Sequence, residues 1–179
     1  GDWVANRDRL PDGIAGLARR IGDLGMKFGL WFEPEMVNKD SDLYRAHPDW
    51  ILHVPGRPST HGRFQYVLDF SRKEVVDCIY GMMKKILGEA DVSYVKWDMN
   101  RSITECFSPA LPADRQGEVF HRYILGVYDL YERLTSKFPY ILFESCASGG
   151  GRFGPGVLYY APQAWTSDDS VAVGRLMIQ

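Results

Sequence analysis

Cysteine is scarce in this chain. Cys78, Cys106 and Cys146 are odd in number and widely spaced across 179 residues. They draw no disulfide framework, and the absence of any CxxC pair argues against a zinc site. Such use of cysteine points to a reduced, cytoplasmic setting. An excess of one charge is also lacking: Lys plus Arg is 21 and Asp plus Glu is 23, for a net charge of −2. That balance gives no electrostatic footprint for nucleic acid or an acidic membrane. No apolar run approaches the roughly 20 residues of a membrane span, and no signal peptide opens the chain. There is no linker, charge block or repeat of fixed period. There is no initiator Met either: the chain opens Gly1-Asp2-Trp3 and stops at Gln179 inside an apolar pattern, Val171 to Ile178, so it reads as an excised piece. What remains is a 45% hydrophobic, 25% charged composition, that of an ordinary globular domain. Aromatics reach 13%, a surplus that fits either a large core or a ring-shaped ligand.

The recurring pattern is a strand followed by a helix. Pro11 opens a first helix, Ile14, Leu17, Ala18, Ile21 and Leu24 share one face, and Gly25 ends it. Met26 to Phe32 is a dense apolar run, read as a buried strand ending in Glu33-Pro34-Glu35. A short helix over Asp40 to His47 follows, then short strands at Trp50 to Val54 and Phe64 to Leu68. Ser71 and Glu74 have capping-box spacing before Val75, Ile79, Met82, Met83 and Ile86. Val92 to Trp97 is the next strand, and a helix over Asp114 to Lys137 turns Phe120, Ile124, Val127, Leu130, Tyr131 and Leu134 inward. Tyr140 to Phe143 is a strand, Ser148 to Gly156 a Gly-rich loop, and Gln163 to Ser167 the last strand.

Alternating strands and helices predict a parallel sheet with right-handed crossovers, and strands without polar alternation predict burial on both faces. An open doubly wound sheet and a closed (β/α)8 barrel both fit. Acidic residues end four successive strands: Glu33/Glu35, Asp98, Glu144 and Asp168/Asp169. In a barrel those ends converge on one mouth, where barrel enzymes place their chemistry. Convergence favours an α/β fold of TIM-barrel type, with about four βα units present.

Lys96-Trp97-Asp98-Met99-Asn100-Arg101 is the densest chemical cluster. Lys96 and Asp98 share a face, and a cation beside a carboxylate keeps it ionised, as a nucleophile, metal ligand or charge stabiliser must be. A structural Lys–Asp pair is the equal alternative. Asp168 lies between Trp165 and Asp169, where an apolar wall and a like charge suit a general acid; a helix N-cap is the plainer alternative. One charged and one protonated carboxyl is the layout of a glycosidase. Trp31 could stack on a sugar ring or pack in the core. Glu33 and Glu35 are ligand contacts or, for at least one of them, a hold on nearby Arg or Lys side chains. Arg63 could reach a polar substrate. Gly149, Gly151 and Gly154 spell GxGxxG, but Pro155 and Gly156 follow at once and no acidic ribose partner stands at the required distance, so a dinucleotide site is rejected. Cys146, with no histidine at a strand end, is a neutral contact rather than a nucleophile.

Five ordered motifs then carry a resemblance over the whole chain. Trp31-Phe32-Glu33-Pro34-Glu35-Met36-Val37, Asp42 to Trp50, Tyr94 to Arg101, Cys146 to Phe153 and Trp165-Thr166-Ser167-Asp168-Asp169 resemble the bacterial α-galactosidases of glycoside hydrolase family 36. The resemblance implies a partial catalytic (β/α)8 barrel over residues 1–179, covering strands three to six. The remaining strands, an N-terminal β-sandwich and a C-terminal β-domain would lie outside it. It implies a retaining hydrolase acting on melibiose- or raffinose-type galactosyl oligosaccharides, without metal or cofactor and homo-oligomeric when full length. Asp98 would be the nucleophile and Asp168 the acid/base. Trp31, Arg63, Lys96 and Asn100 would contact the galactose, with Cys146 and Gly149 against its distinguishing hydroxyls. Gly154 stands where the family usually has Asp, and Val171 and Gly174 where it has Asp and Glu. Two other readings are a metal-dependent barrel lyase or racemase, with Mg²⁺ on Asp98, Glu144 and Asp168 and Lys96 as base, and a galactose-binding remnant without turnover.

Overall fold

The computed structural model describes residues 2–178. Helix α1 (Gly13–Asp23) leads into β1 (Gly29–Phe32). An excursion follows: β2 (Met36–Asn38), α2 (Asp42–Ala46), a 3-10 turn at Pro48–Trp50, and β3 (Gln65–Val67). Then come α3 (Lys73–Glu89), β4 (Tyr94–Trp97), a 3-10 segment Ala113–Glu118 running into α4 (Val119–Lys137), β5 (Leu142–Ser145), α5 (Pro155–Tyr160), β6 (Gln163–Ala164) and α6 (Ala172–Ile178).

Strands β1, β4, β5 and β6 form one parallel sheet in that order, while β2 and β3 pair antiparallel beside it. Each successive βα unit adds its strand on the same side as the one before. A doubly wound sheet reverses direction at a switch point; a barrel advances one way. The order is that of part of a (β/α)8-type barrel.

The core lies between this sheet and the helices. Val75, Ile79, Met83 and Leu87 of α3 and Tyr123, Val127, Leu130, Tyr131 and Leu134 of α4 are buried, at the 3.6-residue spacing legible in the sequence. They meet Val95, Trp97 and Phe143 from the strands, and the Trp97 ring stacks on Tyr131 at 3.9 Å. Each such fully buried side chain contributes about 1.5–3 kcal/mol of transfer free energy. Among the described residues no helix is long and apolar enough to cross a membrane.

Several expectations need correction. The sheet is not buried on both faces: β4 alternates half-buried and buried residues, and Trp31 on β1 is 48% exposed. Helices cover one face only among the described residues, so the other face keeps its polar side chains. The capping box does not form, because Ser71 Oγ turns back to Asp69 Oδ1 at 2.5 Å and Glu74 pairs with Arg72, the residue at the N-cap. Pro11 stays outside α1, which starts at Gly13, and Leu24 is exposed in the turn closing that helix. Phe120 is exposed rather than inward. Trp50 to Val54 supplies one isolated bridge, Ile51 to Leu68, instead of a strand. The Gly-rich loop gives way to a six-residue helix at Pro155.

Candidate active site

Strand register builds the site. Trp31, Lys96, Glu144 and Gln163 are successive partners across β1, β4, β5 and β6, one polar row on the face away from the helices. The ladder continues past the strand ends, with Asp98 N–H donating to Phe32 O at 2.8 Å, Cys146 N–H to Trp97 O at 2.7 Å and Trp165 N–H to Ser145 O at 2.9 Å. Two residues beyond the row, Asp98, Cys146 and Trp165 therefore fall on the same face.

Asp98 is buried, and its carboxylate is surrounded by donors. Trp31 Nε1–H reaches Oδ2 at 3.1 Å and Met99 N–H reaches Oδ1 at 2.9 Å. Burial alone would raise its pKa; hydrogen bonds from Asn100, the Cys146 thiol, Trp31 and the Met99 amide outweigh that and hold the carboxyl below its ordinary value. The expectation that Lys96 does this is corrected. Lys96 Nζ lies 3.8 Å from Glu144 Oε1 and 4.1 Å over the Trp165 ring, so its charge is shared with the next strand rather than dedicated to Asp98. Burial, together with the neighbouring Asp98 carboxylate, pushes the Cys146 thiol up to about 11, although the Gly149 backbone works against it. At neutral pH that thiol is a donor, not a nucleophile.

Glu33 and Glu35 both hold arginines. Glu33 Oε1 accepts Asn100 N–H at 3.0 Å and faces Arg63 Nη1 at 3.4 Å, which keeps Arg63 at the mouth with its guanidinium largely in solvent. Glu35 is fully buried and meets Arg152 in a two-pronged ion pair at 2.8 and 2.9 Å. Trp97 Nε1–H and the Tyr123 hydroxyl also donate to it. Burial opposes the charge, and Arg152 with these donors more than compensates, so the Glu35 carboxyl is lowered. Tyr123 and Arg152 were not read as site neighbours from sequence; the signal for Arg152 was an arginine inside a glycine-rich loop directly after a strand end.

The other aspartate pair is divided by its contacts. Asp169 Oδ1 accepts Val171 N–H at 2.9 Å in the turn before α6. Asp168 is exposed and accepts Trp165 Nε1–H at 2.9 Å. Trp165 thus meets Asp168 as a donor rather than as an apolar wall, and its ring is flanked by Lys96 and Arg175. Gly149, at φ +86°, packs against this segment: a Cβ there would lie 3.0 Å from Ser167 Cα and 3.2 Å from Thr166 O. Gly150 N–H donates to Thr166 O at 3.1 Å, stitching the Gly-rich loop to the strand end that carries Asp168.

The set of three carboxylates expected for Mg²⁺ does not assemble. Among the described residues no group of three or more His, Cys, Asp or Glu is placed to hold a metal ion. Glu144 Oε2 accepts Gln163 Nε2–H at 2.5 Å while Oε1 faces Lys96, so one expected ligand and the expected base are engaged with each other.

The melibiase family model matches residues 1–179. The chain is 58% identical over its whole length to the α-galactosidase AgaA of Geobacillus stearothermophilus and 51% identical to an α-galactosidase of Lactobacillus acidophilus. It spans about a quarter of the length of each, 25% and 24%. The crystal structure of the Geobacillus enzyme superposes on all of this chain with a TM-score of 0.97 at 58% identity, 25% of that chain being covered. Variants of that enzyme are solved with raffinose and with stachyose. Identity at this level over every residue, on a backbone that superposes so closely, leaves one assignment: the chain belongs to the melibiase family, glycoside hydrolase family 36.

Proposed function

We propose that the protein containing this chain hydrolyses terminal α-linked galactose from oligosaccharides of the melibiose and raffinose type, with retention, using Asp98 as nucleophile and Asp168 as acid/base. The observation that carries the reading is the unlike setting of two aspartates beyond strand ends of one parallel sheet: Asp98 buried and held ionised by donors, Asp168 exposed at the next strand end but one. Parallel strands lie about 4.8 Å apart, so the two strand ends are about 10 Å apart at the backbone. Side chains leaning toward each other in front of β5 can close that gap to the roughly 5–5.5 Å of a retaining pair.

An Asp98 carboxylate oxygen attacks the anomeric carbon as the glycosidic bond breaks, and Asp168 gives its proton to the leaving oxygen. Asp168 then takes a proton from water, whose oxygen displaces Asp98 from the galactosyl ester. Lys96, Asn100, Arg63 and the exposed Trp31 ring line the same mouth and would hold the sugar, with Cys146 and Gly149 bounding it. Support also comes from the Geobacillus variants. The raffinose complex carries an Asp-to-Asn change and the stachyose complex an Asp-to-Ala change; these two substitutions lie 70 positions apart in that chain, as Asp98 and Asp168 do here (168 − 98). The flanking barrel strands and β-domains belong to the same reading, as do a homo-oligomeric state and a cytoplasmic location in which the three free cysteines stay reduced.

The test is an exchange. This chain replaces the matching segment of the Geobacillus enzyme, and hydrolysis of nitrophenyl α-galactoside is followed. Activity that falls at least about 10³-fold with Asp98→Ala, with α-galactose released first and converting to the β anomer only by later mutarotation, supports the reading. An active Asp98→Ala exchange protein would remove Asp98 from its role, and loss of activity on adding a chelator would revive the lyase class.

A further inference from the structure

The Glu35–Arg152 pair is unusual in its cost. A fully buried ion pair recovers little net stability, because desolvation offsets the Coulomb attraction, and well-packed apolar residues commonly do as well. What an apolar pair cannot supply is direction. A guanidinium fork on a carboxylate fixes both partners in plane, and both oxygens of Glu35 are filled: Oε1 by Arg152 and Trp97, Oε2 by Arg152 and Tyr123.

The connections of this cluster all lead to one residue. Trp97 precedes Asp98, and its indole N–H is held by Glu35 at 2.9 Å. Met99 follows Asp98, and its Sδ lies 4.0 Å from the Tyr123 hydroxyl that donates to Glu35. Arg152 lies in the loop that begins at Cys146, whose carbonyl accepts Met99 N–H at 3.1 Å. Glu35 itself touches neither Asp98 nor the open face. We infer that Glu35, through Arg152, Tyr123 and Trp97, is the positioning residue that fixes the direction of the Asp98 carboxylate. The consequence for catalysis rests on the proposed role of Asp98; the geometric claim does not.

The experiment uses the full-length protein that contains this chain, labelled with ¹⁵N at tryptophan, and reads the indole N–H of Trp31 by NMR. That group donates to Asp98 Oδ2 and makes no contact with Glu35, so it reports the carboxylate's direction. In Glu35→Gln the Trp31 indole signal shifts and its exchange with solvent speeds about fivefold, as expected when a hydrogen bond to a charged acceptor is weakened. Glu35→Gln leaves Arg152 buried without its counter-charge and can fail to fold. Tyr123→Phe removes one donor only, keeps the ring and gives the same change at about half the size. Met83→Ala, in the α3 core, is the control for general loosening and leaves the Trp31 signal in place. An unmoved Trp31 indole in Tyr123→Phe, or an equal change in Met83→Ala, overturns the inference. This outcome is separate from the exchange experiment: an active Asp98→Ala protein would remove the catalytic role of Asp98 and leave the Trp31 result standing.

Discussion

Trp31 and Asp98 stand on neighbouring parallel strands, 67 residues apart in sequence, and the indole N–H of the first donates to Oδ2 of the second at 3.1 Å. The same tryptophan is 48% exposed, so one side chain both orients the carboxylate and offers a ring face to the mouth. Trp31→Phe keeps the ring and deletes the donor. A hydrogen bond to a charged acceptor contributes about 1.5–3 kcal/mol when buried, and this one is half open, so kcat/KM of the exchange protein should fall about tenfold at neutral pH. The sign of the pH effect follows from the loss of a donor to the ionised form: the Asp98 carboxyl rises, and the acidic limb of kcat/KM moves to higher pH. A limb that stays in place would contradict this account.

Acid should unfold the chain through Glu35 and Asp98. Both carboxyls are lowered in the folded state, so their contribution is complete above the unfolded values, near 4, and is lost as pH falls through the lower folded values. Urea midpoints measured from pH 7 to pH 3 should be flat down to about pH 5 and then decline. Glu35→Gln should cost about 3–5 kcal/mol at pH 7 by leaving Arg152 unpaired, and should flatten the acid decline.

Two glycines separate backbone need from free space. Gly149→Ala places a Cβ 3.0 Å from Ser167 Cα at a left-handed φ, and should cost about 1–2 kcal/mol while displacing the Asp168 segment. Gly154 has an extended backbone with nothing within 4 Å of a Cβ. Gly154→Ala and Gly154→Asp should each stay within about 0.5 kcal/mol. Thermal melts of the three variants check the contrast.

Cys146 should be the slowest thiol to alkylate. Its pKa near 11 leaves about one part in a thousand as thiolate at pH 8, and it is buried. Cys78 and Cys106, half-buried and raised by burial, should react first. Peptide mapping after timed iodoacetamide treatment at pH 8 gives the order, and early modification at Cys146 would argue against its bond to Asp98.

The helices were legible because burial imposes a period: Val75, Ile79 and Met83, or Val127, Leu130 and Leu134, announce their faces. The acidic strand ends at Glu33, Asp98 and Glu144 were legible for a similar reason, since each follows an apolar run. Cross-strand register was not. Sequence spacing rightly puts Lys96 and Asp98 on one face, but cannot foresee that the Lys96 ammonium turns to Glu144, its neighbour on β5. Nor does the S-x-x-E spacing at Ser71 and Glu74 reveal that Asp69, buried and also bonded to Ser108, claims the serine first. The sequence suggests that at least one of Glu33 and Glu35 holds an Arg or Lys; that Glu35 holds Arg152, 117 residues away, needed the fold.

The seam between Gly149-Gly150 and Thr166-Ser167 has a consequence for how such sequences change over time. The loop that starts beside Asp98 and the segment that carries Asp168 share one backbone joint. A substitution at residues 147–151 therefore alters the surroundings of both aspartates together, and a compensating change is most effective at residues 165–168. Paired substitutions across this seam should be non-additive, and related sequences should drift there in step, two short stretches inherited as a single unit.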